Sequence, residues 1–100
     1  MILHLVLFRL KPDTPPARLA EVERAILAMK ERIPEIRDIK WGPNLGPSAG
    51  EYTHIAVVTC DDMAAVQRYL DHPVHKETVQ RYIHPIREGR IAADVYVGEK

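Results

Sequence analysis

The chain predicts an α+β fold: a four-stranded antiparallel sheet with its helices on one face. Three observations carry that expectation. Segments of strand chemistry and segments of helical periodicity follow one another as β-α-β-β-α-β. The first of the strand segments is apolar at both parities, so the sheet needs cover on both sides. No repeat and no low-complexity tract interrupts the series.

The elements follow in order. Residues 2–10 form the first strand. Ile2, Val6, Phe8 and Leu10 share one parity with His4, and Leu3, Leu5 and Leu7 take the other. Lys11-Pro12-Asp13 is a turn signal. A helix is expected over 15–33, with Thr14 as its N-cap and prolines in its first turn. Leu19, Val22, Ile26, Met29 and Ile33 recur at three- and four-residue spacing, an amphipathic stripe, and Pro34 ends it. A weaker strand is expected over 36–42. The loop 42–50, with three glycines and two prolines, leads into a strong strand over 52–60. The two faces of that strand are Tyr52, His54, Ala56, Val58, Cys60 and Thr53, Ile55, Val57, Thr59. Asp61 or Asp62 caps a short helix through Leu70, and Pro73 opens another, expected over 73–83 and closed by Pro85. The last strand is expected over 90–97, with Ile91, Ala93, Val95 and Val97 on one parity.

This order packs most simply as a ferredoxin-like split βαβ arrangement. Two helical layers cannot cover both faces. Leu3, Leu5, Leu7, Ile55 and Val57 are then left on the uncovered side, and an apolar face of that size marks an interface. Sheet-to-sheet packing of a second copy buries it, so residues 1–100 are expected to form one domain that pairs as a homodimer through the sheet face. A chain of 100 residues is only marginally stable by itself, which favours the same outcome.

Composition narrows the function classes. An apolar fraction of 46% argues against disorder. The charges balance, 14 basic against 14 acidic, and no basic run offers a nucleic-acid surface. The apolar start contains His4 and Arg9, lacks a signal-peptide pattern, and is too short to span a membrane as a helix. The single cysteine, Cys60, reads as a buried apolar residue at a strand end, and with no disulfide to form, a reducing, cytoplasmic setting is expected.

The stretch YLDHPVHKETV (69–79) places Tyr69, His72 and His75 around Pro73, in a chain with five histidines and four tyrosines. A proline after His72 forces an extended residue and hence a corner. That corner brings Tyr69 and His75 toward one spot. Histidine exchanges protons near neutrality, and a tyrosine hydroxyl donates to a developing oxyanion. Together they suit deprotonation beside a carbonyl. The structural reading is that both merely pack and bond to backbone. His72-x-x-His75 supplies too few ligands for a metal, even if His4, His54 or His84 lies nearby in space, and no phosphate loop or dinucleotide fingerprint is present, so neither metal nor cofactor is expected.

HLVLFRLKP at the start, YTHIAVVTCDD in the middle and YLDHPVHKETV after it resemble the Dabb family, the stress-responsive dimeric α/β-barrel domains, over roughly residues 2–97. The resemblance implies a ferredoxin-like fold and dimers packed sheet against sheet into a barrel. It also implies a partial likeness to a polyketide cyclase of that family, which performs an aldol condensation. On that likeness His75 is the base and Tyr69 its helper, with His4 and His54 in support. Lys40-Trp41-Gly42 parallels a Tyr-Trp-Gly of the cyclase, which makes Trp41 a candidate substrate contact beside His72. Three readings follow: a cofactor-free enzyme acting on a carbonyl compound, a protein that binds a small apolar ligand without chemistry, and a structural stress protein. Small dimeric barrels of this type also host monooxygenase-like chemistry on quinols.

Overall fold

A computed structural model describes residues 1–98. Its elements are β1 (Ile2–Leu10), α1 (Pro16–Arg32), β2 (Asp38–Pro43), β3 (His54–Cys60), α2 (Met63–Asp71), α3 (Pro73–Thr78), a π-helical turn (Val79–Ile83) and β4 (Arg87–Tyr96). The sheet is antiparallel throughout, in the order β2-β3-β1-β4. This is the ferredoxin-like α+β fold that the element order predicts. Among the described residues, no helix is long and apolar enough to cross a membrane.

Strand β1 lies inside the sheet and sorts its side chains by parity. Ile2, His4, Val6, Phe8 and Leu10 are buried toward the helices, while the residues between them are half-buried on the other face. Val22, Ile26 and Met29 of α1, Ile33 just beyond it, and Val66 of α2 close over Val6, Val58 and Cys60 as one core. On the far face, register aligns Leu3 with Val95 and Thr59, Leu5 with Ala93 and Val57, and Leu7 with Ile91 and Ile55. Ile91 and Val95 are about half exposed there, at 50% and 48%.

Several boundaries differ from the sequence expectations. Thr14 does not cap α1. Its hydroxyl donates to the Lys11 carbonyl (2.7 Å), and Pro15 takes the cap position ahead of Pro16. Strand β2 begins at Asp38 because Ile36 is drawn into the core by a turn, its N–H donating to the Ile33 carbonyl (3.1 Å). Tyr52 is held in a turn by Ala49, which delays β3 to His54. The helix expected over 73–83 changes to π geometry at Val79. Pro85 has no N–H for the Arg81 carbonyl, which accepts from the Arg18 guanidinium (3.3 Å) instead. Strand β4 starts earlier than expected, at Arg87, because a bulge lets its first residues join the ladder beside Leu10.

Of the two candidate caps of α2, Asp62 fills the role, its carboxylate accepting from the Ala65 N–H at 2.8 Å. Asp61 pairs with Arg37 instead (2.8 Å). Asp62→Ala should therefore lower unfolding free energy by about 1 kcal/mol. Asp61→Ala, which removes only a surface pair, should cost less. Denaturant midpoints of the two variants check the order.

Candidate functional site

The corner between α2 and α3 is set by its backbone donors. Helix α2 ends at Asp71, and His72 is extended (φ −65°, ψ 135°), as a residue before proline must be. Pro73 has no N–H, so the Tyr69 carbonyl accepts from His72 instead (3.2 Å). The next donor, Val74 N–H, turns to the His72 Nδ1 atom (3.1 Å). That leaves the Leu70 carbonyl without its helical partner. The His75 Nδ1–H supplies the missing donor at 3.1 Å. A carbonyl oxygen only accepts, so the proton of the neutral ring sits on Nδ1, and Nε2 keeps a free lone pair.

This anchoring sets the His75 ring against Tyr69, with centroids 4.6 Å apart and planes tilted by 60°. On its other side Tyr69 meets His4 edge-on, with centroids 5.9 Å apart. His4 is in turn oriented from β4, where the Asp94 carboxylate accepts its Nδ1–H at 2.7 Å. The pair lies directly across the β1–β4 ladder, so strand register alone brings it together. The three rings line a cavity of about 270 Å³ between sheet and helices. Val6, Phe8, Ile26, Met29 and Ala56 give it apolar walls, and Val79 and Ile83 of the π-helical turn close one flank. His84 and Arg90, both exposed, and the half-buried Arg87 also line it.

Burial decides the protonation states. It pushes the His75 pKa below the ordinary histidine value, and His4, Arg90 and Lys76 add to that, against the bond to Leu70. His75 is thus a neutral base at physiological pH. Burial raises the Tyr69 phenol well above its usual range, which keeps it a hydrogen-bond donor. No other described residue accepts a hydrogen bond from its hydroxyl. Cys60 is fully covered, and burial pushes its thiol up to about 11, so it is a core residue and a poor nucleophile.

The remaining sequence candidates lie elsewhere. His54 and Trp41 stack on each other (5.5 Å), and Trp41 also meets Phe8 (5.6 Å), so both stand behind a wall residue of the cavity and do not line it. The His54 Nδ1 is paired with the Thr53 hydroxyl (2.9 Å). His72 is used as the helix cap just described. Among the described residues, no group of three His, Cys, Asp or Glu could hold a metal ion. Asp94, Arg87 and Arg90 escaped the sequence reading. The signal for Asp94 was the even parity of β4 opposite His4, which is readable only once the strands are in register.

Residues 2–97 match the family model of the stress responsive A/B barrel domain. The chain belongs to the Dabb family. A curated relative is the olivetolic acid cyclase of Cannabis sativa, 30% identical over 74 residues, covering 72% of this chain and 73% of that protein. Among solved structures, a dimeric ferredoxin-like protein of unknown function from Thermobifida fusca is 29% identical, with a TM-score of 0.81 over 96% of this chain and 90% of that one. The hydroxynitrile lyase of Passiflora edulis superposes with a TM-score of 0.85 over 99% of this chain and 94% of its own, at 21% identity, a likeness of fold.

The depressed His75 pKa has a consequence for stability. The folded protein takes up this proton less readily than the unfolded chain, whose histidines titrate near about 6.5. Stability gained by keeping the ring neutral is thus present above about pH 6.5 and is lost as pH falls through that value toward the lower folded midpoint. His54, also depressed by burial, acts in the same direction. The melting temperature should fall between about pH 7 and about pH 5, and His75→Gln should flatten that fall. Identical slopes in the two proteins would contradict the assignment.

Proposed function

We propose that this Dabb-domain chain acts as a homodimer that binds a small, largely apolar carbonyl compound between sheet and helices and performs cofactor-free acid–base chemistry on it. His75 Nε2 takes a proton from the carbon next to the carbonyl. The electron pair of the broken C–H bond moves to the carbonyl oxygen, and the Tyr69 hydroxyl donates to the oxyanion that forms. The enolate carbon then attacks a second carbonyl of the same molecule, whose oxygen takes the displaced electron pair and the proton held on His75 Nε2, as in an aldol ring closure that regenerates the base. The observation that carries this reading is the Tyr69–His75 contact beside the cavity, with the His75 Nδ1 tied to the Leu70 carbonyl. The sequence likeness to a cyclase supports it. Homodimerisation is supported by the apolar face around Leu3, Leu5, Leu7, Ile55 and Val57 and by the dimeric state of the Thermobifida relative.

Solvent deuterium exchange at the carbon next to the carbonyl of 2-heptanone, followed by NMR, tests the base without knowledge of the natural substrate. His75→Ala should slow the protein-dependent exchange by about a hundredfold or more while the fold is kept. Tyr69→Phe should lose less, since it removes one donor and keeps the ring. Exchange that is undiminished in His75→Ala would remove the enzymatic reading and leave a binding protein.

The dimer has its own test. Leu5→Glu places an unpaired charge in the middle of the apolar face and should dissociate or unfold the assembly. A dimer of unchanged mass and melting temperature by light scattering and calorimetry would overturn the sheet-face assignment.

A further inference from the structure

The cavity has a cationic rim whose charges have no counterpart among the described residues. Arg87 and Arg90 both line it, yet they are three residues apart in β4, a spacing that in a regular strand sends side chains to opposite faces. The bulge resolves this. Pairing runs Phe8 with Arg90 and Arg9 with Gly89, then skips to Leu10 with Arg87, leaving Glu88 as the extra residue. Phe8 and Leu10 both face the helices, so their partners Arg90 and Arg87 do too. Bulges commonly re-aim side chains beside binding sites. This one is fixed from the opposite face, where the Arg9 guanidinium lies over Gly89 and donates to the Glu88 carbonyl at 3.1 Å.

Neither rim arginine is neutralised by a described residue. Arg9, Arg18, Arg37 and Arg68 each have a carboxylate within reach. Among the described residues, Arg87 and Arg90 have no ion pair and no hydrogen-bond acceptor. The acids of their own strand are engaged elsewhere: Glu88 lies 3.7 Å from Arg9, and Asp94 is bonded to His4. Beyond the burial that dominates, the Arg90 charge also opposes protonation of His75, which puts it within electrostatic range of the acid–base pair.

We infer that Arg87 and Arg90 form the seat for a carboxylate, so that the ligand class is a compact keto acid. Its apolar body lies along Val6, Phe8 and Met29, and its ketone faces Tyr69 and His75. Guanidinium groups match a carboxylate in bidentate geometry, and the half-buried Arg87 does so with less competition from water than a fully exposed group. A volume of about 270 Å³ favours a short-chained acid. Charge at the rim would also orient the ligand, body inward and carboxylate outward. This inference rests on the cavity reading above and adds the substrate's charge to it.

Octanoate and octanamide share a chain and differ in charge, and titration calorimetry of the two separates the claims. Octanoate should bind at least about tenfold more tightly than octanamide, a gap that high salt narrows. Arg87→Met/Arg90→Met should erase the gap while leaving octanamide affinity unchanged, which also shows that the variant is folded. Tyr69→Phe/His75→Ala should keep the octanoate preference, so loss of the acid–base chemistry is read separately from loss of the anion seat. Equal affinity of the two ligands for the native protein, a preference that survives in the double methionine variant, or no binding of octanoate would each overturn the proposal.

Discussion

The candidate site depends on one unsatisfied carbonyl. A helix broken at Pro73 cannot give Leu70 its usual backbone donor, and the substitute is the imidazole of His75. This single bond sets the tautomer and fixes the ring against Tyr69. It also leaves the second ring nitrogen with its lone pair free. His72 makes the break sustainable by taking the Val74 N–H, so the two histidines of the motif have different tasks. One accepts the Val74 N–H at the helix end, and the other donates to the Leu70 carbonyl.

The sheet provides the rest by parity. Each even residue of β1 faces the helices, which puts His4 among core residues and turns its neighbours Leu3 and Leu5 outward. The same alternation carries across the ladder to Asp94, so the orientation of His4 is a matter of register. Where the alternation is interrupted, at Glu88, two arginines that would diverge share a face. The sheet side of the cavity, with His4 and the two arginines, thus belongs to a sheet whose far side carries an apolar surface, the one proposed for the dimer. A shift of one residue in β1 would exchange the two surfaces and remove His4 from the cavity.

Much of this was legible in the residues. The alternation of β1 and β3 gave both faces, and the Leu19–Ile33 stripe gave α1. Pro73 gave the corner and therefore the meeting of Tyr69 and His75. What was not legible depended on three-dimensional pairing. Thr14 looks like a cap, but consecutive prolines move the cap to Pro15, and the hydroxyl bonds backward. His54 shares parity with His4, yet lies near the end of the ladder opposite Phe8, where Trp41 covers it. Arg87 and Arg90 have opposite parity in the sequence, and only a bulge, which leaves no mark in composition, reconciles them.

The state of the His75 ring is the point on which the corner, the base and the proposed chemistry meet. Long-range proton–nitrogen correlation spectra of protein labelled with nitrogen-15 read it directly at neutral pH. A neutral ring with the hydrogen on Nδ1 and a bare Nε2 is the expected result, with Nδ1 shifted toward the usual value when Pro73→Ala restores a continuous helix. A neutral ring with its hydrogen on Nε2, or a charged ring at pH 7, would contradict the bond to Leu70 and the role of His75 as the base.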